Sequence, residues 1–214
     1  MVISHSRRFI FLRTQKTGGS SLSHALRATL QPEDYRAHRR LPLWQKRLGL
    51  RSRWPKRVFG GPFGLTQHAT ARQVRRFVGE EAWRGYFKFA VERNPWDRQL
   101  SLYHQRCAKR GRRPDFRRDM ASPWWRATHH VRLDNWSVYA IGENVVADRV
   151  LRYEELEETL PALMTELGVG PLELPRLRSG HRPKRDYREE YDGPTRELVA
   201  RWYRREIEAF GYAF

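Results

Sequence analysis

The sequence predicts an α/β fold whose central sheet is mostly parallel and flanked by helices, and it does so through a pattern that occurs three times. A short apolar run gives way to helical spacing near residues 8–30, 86–107 and 149–168. Strand followed by helix, repeated, is the arrangement in which parallel strands are joined by helical crossovers. At 214 residues the chain has the size of one domain with a substantial core, so the expectation is one domain over 1–214.

The elements follow in order. Arg8 to Arg13 reads as a buried strand. Leu22, Ala25, Leu26, Thr29 and Leu30 then fall at i, i+3, i+4, i+7 and i+8 of one helical face. Residues 31 to 65 lack periodicity and hold the basic run "RSRWPKR", which reads as loops with a short helix. "TQHATARQVRRFVG", residues 66 to 79, leads into a helix before the second strand, Tyr86 to Val91. The turn "ERNPWDR" opens the next helix, which carries Leu100, Tyr103 and Cys107. Pro95 suits its first turn, where a missing N–H costs nothing. "KRGRRPDFRRDMASPWWRATHH", residues 109 to 130, mixes arginine with tryptophan and is open to two readings, a mobile flap or an acceptor-binding wall. The third unit is Arg149 to Arg152 and a helix with Leu156, Leu160, Leu163 and Leu167, closed by Gly168. Thr195 to Phe210 carries Leu198, Val199, Trp202, Tyr203, Ile207 and Phe210 on one stripe, read as core.

Composition narrows the function classes. The single cysteine, Cys107, excludes an internal disulfide framework and a cysteine-based zinc site, and reads as a packed helix residue. The apolar run Phe9 to Leu12 is too short for a signal peptide and no later stretch could span a bilayer, which gives the expectation of a soluble, cytoplasmic chain. Forty-two basic residues against 24 acidic give a formal charge of +18. Nucleic acid, an anionic polysaccharide or a polyanionic cofactor would each be drawn to such a chain, while a surface that only confers solubility is the plainer alternative.

The most informative stretch is "FIFLRTQKTGGSSLSHAL", residues 9 to 26. After a strand, small residues let the backbone approach an anion, and the N–H groups opening the next helix point toward it. Lys16 adds a full charge, and Ser20 and Ser21 are placed to cap the helix. An ordinary glycine turn before a capped helix is the competing explanation. The nucleotide triphosphatase loop places its lysine after the glycines; here the lysine comes first.

Lys16-Thr17-Gly18-Gly19-Ser20-Ser21-Leu22 resembles instead the 5′-phosphosulfate loop of sulfotransferases, in the branch with carbohydrate and heparan 2-O-type enzymes and bacterial relatives, where P-K-T-G-G-T-S-L is typical. Gln15 stands in place of the proline and Ser20 in place of the threonine. "FKFAVERNPWDRQLSLY", residues 87 to 103, resembles the family's 3′-phosphate segment, which implies Arg93 and Ser101 as its ligands, with Arg98 facing solvent. "QHATA" resembles the family's G-H-x-[ST]-A, which implies His68 as the acceptor's general base, with Glu92 a lower-ranked rival. Histidine, with an ordinary pKa near 6.5, suits that role at neutral pH. "VLRYEELEETL" and the closing "FGYAF" also resemble the family. Arg182 and Lys184 match the general position of a loop that folds over the nucleotide, and Tyr187 and Tyr191 could pack or bind.

The resemblance implies a P-loop-like three-layer fold and a sulfotransferase of the EC 2.8.2 type. Its donor would be 3′-phosphoadenosine 5′-phosphosulfate (PAPS), its product 3′,5′-adenosine bisphosphate (PAP), and no metal would be needed. The acceptor would be a hydroxyl on a carbohydrate or glycolipid, with nucleic acid not the main partner. Thr17 to Leu22 would cradle the 5′-phosphate and Lys16 would neutralise it as it departs. Two alternatives remain: a P-loop small-molecule kinase, and a basic nucleic-acid-binding module using "RSRWPKR" and "KRGRRPDFRR".

Overall fold

A computed structural model describes residues 1–36, 65–129, 132–174 and 186–214. Loops and a short helix are expected over 31–65; the described part, 31–36, ends instead in a two-residue strand, Tyr35–Arg36, while 37–64 with "RSRWPKR" and the proposed ligands Arg182 and Lys184 lie outside the described residues.

A five-stranded sheet organises the fold. Its strands are β1 (Val2–Ser4), β2 (Phe9–Leu12), β3 (Tyr35–Arg36), β4 (Phe87–Glu92) and, after a small antiparallel ribbon of β5 (Ala140–Ile141) and β6 (Asn144–Val145), β7 (Arg149–Arg152). The spatial order is β3-β1-β2-β4-β7. β2, β4 and β7 are the three strands read from the sequence, and they run parallel, with Phe11 opposite Phe89 and Val91 opposite Leu151. β1 is antiparallel to both β2 and β3. It escapes a sequence reading because three residues beside the N-terminus are too few to display a period.

Burial alternates along β2 between two cores, as side chains on a pleated strand must. Phe9 and Phe11 pack with Leu22 and Leu26 of α1 (Gly19–Ala25) and the turn that follows, and with Leu156, Leu160 and Leu163 of the helix Leu156–Glu166. Ile10 and Leu12 pack with Val74 and Trp83 of α2 (Ala71–Gly85) and with Trp136 and Tyr139. Helices thus cover both faces and the three layers are those expected. Gly168 closes the helix after β7 with a left-handed φ of 65°.

A third core forms beside the sheet around α3 (Pro95–Lys109), where Leu100, Tyr103 and Cys107 meet Val199 and Tyr203. The closing stripe is core as read, but the helix breaks at Tyr203 (φ −120°, ψ 29°) into Gly193–Trp202 and Arg204–Phe210. The 109–130 segment holds α4 (Phe116–Ala121) and α5 (Pro123–His129), whose Phe116, Met120 and Trp125 are buried in this core. Those residues tie the middle of the segment to the third core. Among the described residues no helix is long and apolar enough to cross a membrane.

The topology also locates a crevice. After β2 the chain goes to β3 at one edge of the sheet, and after β4 it goes to β7 at the other. Adjacent parallel strands whose connections diverge leave an opening at their carboxyl ends, which is where open α/β sheets bind ligands.

Candidate active site

The loop from β2 into α1 is fastened at each residue before its lysine. The Thr17 hydroxyl donates to that of Thr14 at 2.7 Å, because the Thr14 proton is committed to the Val91 carbonyl of β4. Gln15 is held through its main chain by Asn135. Lys16 then adopts φ 66° and Gly18 φ 73°. A left-handed lysine costs about 1–3 kcal/mol and persists only where its surroundings enforce it, so this turn is specified rather than incidental.

The two glycines are needed for space. A Cβ on Gly18 would lie 3.1 Å from the Tyr153 ring, and one on Gly19 would lie 2.9 Å from the Arg13 side chain. Gly18 is the N-cap of α1 and makes no side-chain cap bond, so the expected capping by Ser20 or Ser21 does not occur. Ser20 sits inside the first turn, where its Oγ accepts from Arg13 at 2.7 Å. Arg13 also donates to Gln67 at 2.8 Å, tying the loop to the QHATA stretch.

His68 follows Gln67, and its Nδ1 lies 2.9 Å from the Arg13 carbonyl. A carbonyl can only accept, so Nδ1 carries the proton and Nε2 is the basic nitrogen of the neutral ring. That tautomer is the one a general base requires. The capping box of α2, with Thr70 and Gln73 exchanging bonds, fixes the chain immediately downstream.

Arg93 leaves the end of β4 beside the loop. Its Nε donates to Asp97 at 2.8 Å, and Nη2 reaches the same oxygen. Nη1 donates to the Lys16 carbonyl at 3.3 Å, while the guanidinium lies 4.5 Å from the Tyr153 ring centroid. Asp97 and Tyr153 therefore orient the fork, and Tyr153 supports both Arg93 and Gly18. Asn94 caps α3 through Trp96 and Asp97, with Pro95 in the first turn as expected. Ser101 is half-buried on α3, about 9 Å along the axis from Pro95 at 1.5 Å per residue. Lys16, His68 and Arg93 are thus joined through main-chain carbonyls of one loop, whereas Ser101 stands further along its helix. Tyr191 packs, donating to the Trp96 carbonyl at 2.8 Å, and the Tyr187 hydroxyl accepts from Asn94 at 3.2 Å.

Arg98 corrects the sequence reading: it is fully buried rather than solvent-facing. It donates to Glu92 at 2.6 Å and Glu206 at 3.2 Å and lies 4.4 Å from the Tyr203 ring centroid. Burial opposes its charge, but Glu92, Tyr203 and Glu206 hold it protonated above the ordinary arginine range. Burial pushes Glu206 up. Glu92 is equally enclosed, with Oε1 also accepting from the Arg93 N–H at 2.9 Å and Oε2 from Tyr139 at 3.0 Å. Burial, then the Glu92 charge, raises Tyr139 well above the usual phenol range, so it remains a donor. These bonds occupy both oxygens of Glu92, which argues against it as a rival base. Arg98→Ala would leave buried carboxylates without their cation and is expected to cost about 3–5 kcal/mol of stability in denaturant unfolding. A loss below about 1 kcal/mol would contradict this account.

The sequence reading missed Arg13, Asn135 and Tyr153, whose partners lie 54, 120 and roughly 60 positions away, beyond any local pattern. The arginines behind the nucleic-acid alternative are partly occupied: Arg112 pairs with Asp119 at 2.6 Å, and Arg117 donates to the Glu189 and Glu190 carbonyls. No group of three or more His, Cys, Asp or Glu among the described residues could hold a metal ion.

An uncharacterized protein of Archaeoglobus fulgidus is 31% identical over 101 residues, covering 46% of this chain and 82% of that protein. The crystal structure of a sulfotransferase from Alicyclobacillus acidocaldarius aligns over 97% of this chain and 96% of its own, with 17% identity and a TM-score of 0.45. The model of the sulfotransferase family, Sulfotransfer_2, matches residues 1–156, a span that contains Lys16, His68 and Arg93. The chain therefore belongs to the sulfotransferase family, whose reaction is sulfuryl transfer.

Proposed function

We propose that this protein transfers the sulfuryl group of PAPS to an acceptor hydroxyl on a carbohydrate or glycolipid, as a cytoplasmic enzyme folded as one domain. The observation that carries the reading is the contact of Arg93 with the Lys16 carbonyl, which sets two cationic side chains at the adjacent ends of β2 and β4. A donor with anionic groups at both its 5′ and 3′ positions needs such a pair. Family membership favours sulfuryl over phosphoryl transfer and over simple nucleic-acid binding.

The fit to the donor is supported by the glycine turn, which packs so closely on Tyr153 and Arg13 that a Cβ at Gly18 or Gly19 would collide with them, leaving the loop as bare backbone at those two positions. When bound, the donor supplies an activated sulfuryl group on a phosphate leaving group. Thr17 to Leu22 would hold the 5′-phosphate and Lys16 would offset charge growing on its bridging oxygen. Arg93 and Ser101 would hold the 3′-phosphate, an arginine fork and a hydroxyl being suited to it. By the family resemblance, Arg182 and Lys184 would add charge to nucleotide binding. His68 would take the acceptor proton at Nε2.

Calorimetric titration tests the donor assignment. The bisphosphate is expected to bind clearly better than 5′-AMP, ATP or single-stranded DNA. Arg93→Ala should erase most of the preference over 5′-AMP, losing about 1.5–3 kcal/mol per charge-assisted bond, with 5′-AMP affinity little changed. Equal wild-type affinity for the bisphosphate and 5′-AMP would remove the 3′-phosphate assignment.

A further inference from the structure

Asn135 stands at the N-cap of the short helix Trp136–Tyr139 but makes no side-chain cap bond there. Asparagine at an N-cap ordinarily accepts from an amide two or three residues ahead. The neighbouring Asp134 takes that bond instead, accepting from the Ser137 N–H at 3.1 Å. The Asn135 amide is turned to a residue 120 positions earlier, Gln15. Its Oδ1 accepts the Gln15 N–H at 2.9 Å and its Nδ2 donates to the Gln15 carbonyl at 3.0 Å. One side chain thereby closes both main-chain groups of one residue, the pair of bonds that a neighbouring antiparallel strand would otherwise supply.

Asn135 is fully buried. Its Nδ2 also lies 3.5 Å from Glu92 Oε1, an oxygen held in turn by Arg98 and the Arg93 N–H. A continuous set of polar contacts therefore runs from the buried Arg98–Glu92 pair to Gln15. The next residue is Lys16, whose φ of 66° is one that L side chains seldom adopt unless their neighbours are held.

We infer that Asn135 is a positioning residue for sulfuryl transfer: its carboxamide pins the Gln15 backbone and so holds Lys16 in the left-handed conformation of the donor loop. The inference rests on the proposed reading of that loop as the donor site. It also explains the side-chain chemistry, since a carboxamide carries its acceptor and its donor on two separate atoms, which is what bonding the N–H and the C=O of one residue requires. Alanine leaves the half-buried Gln15 N–H and carbonyl without their partner, while aspartate keeps the acceptor, loses the donor and sets a second carboxylate beside Glu92.

The test compares wild type with Asn135→Ala and Asn135→Asp for PAP affinity, donor KM, kcat and thermal midpoint. Wild-type binding of PAP is the control, since its absence would sink the donor reading itself. Given that binding, both variants are expected to bind PAP at least tenfold more weakly and to lose kcat at saturating donor, with aspartate the more severe. Folded variants that keep PAP affinity within twofold and kcat at the wild-type level would overturn the inference, whatever their thermal midpoints. Should neither variant fold, amide exchange in the wild type decides. The Gln15 N–H must be protected like the amides of β2, and exchange at the rate of an open loop would overturn the clamp.

Discussion

Replacing Lys16 with alanine is expected to lower kcat by about 10²–10³ while weakening PAP binding much less. Removing one preorganised donor at a developing negative charge typically costs that much. On the proposed reading the asymmetry follows from when the charge appears: the bridging oxygen would be less negative in the bound donor than when the sulfuryl group departs, so the ammonium would stabilise the transition state differentially. Because Lys16 sits at φ 66°, alanine retains the backbone strain while deleting the charge. Lys16→Gly relieves the strain and deletes the same charge. Equal losses in both variants would assign the effect to the ammonium; a much smaller loss in glycine would assign it to loop geometry. Turnover near wild type at saturating donor would reduce Lys16 to an anchor.

His68→Ala is expected to lower transfer to the hydroxyl by about 10²–10⁴, the usual range for loss of a general base. PAP affinity should stay within about threefold, because a base need not touch the nucleotide and tenfold is already 1.4 kcal/mol. The bond from Nδ1 to the Arg13 carbonyl would give His68 its orientation in the proposed role of base. In that role the neutral ring would be the active form, so wild-type activity should fall as pH drops through the histidine's titration, and the residual activity of the variant should lack that limb. If His68→Ala weakened PAP binding in proportion to rate, His68 would be a fastener of the loop through Arg13 rather than a base. Glu92 would not replace it, being enclosed by Arg98, Tyr139 and the Arg93 N–H.

The sequence by itself determined what local physics encodes. The parallel strands Phe9–Leu12, Phe87–Glu92 and Arg149–Arg152 were legible because apolar runs and helical spacing are set by neighbours in the chain. The Lys16 loop, Pro95 in a first turn and Gly168 at a helix end were legible because turn chemistry acts over a few residues. Only tertiary structure decided the rest. Arg98 looked like a surface cation until Glu206, 108 positions away, was brought beside it. Asn135 and Tyr153 carried no local signal: the amide of the first is spent on Gln15, 120 positions earlier, and the ring of the second supports both Gly18 and Arg93. A buried charge or amide takes its meaning from the partners that satisfy it, and in a parallel sheet those partners come from strands and helices far apart in sequence.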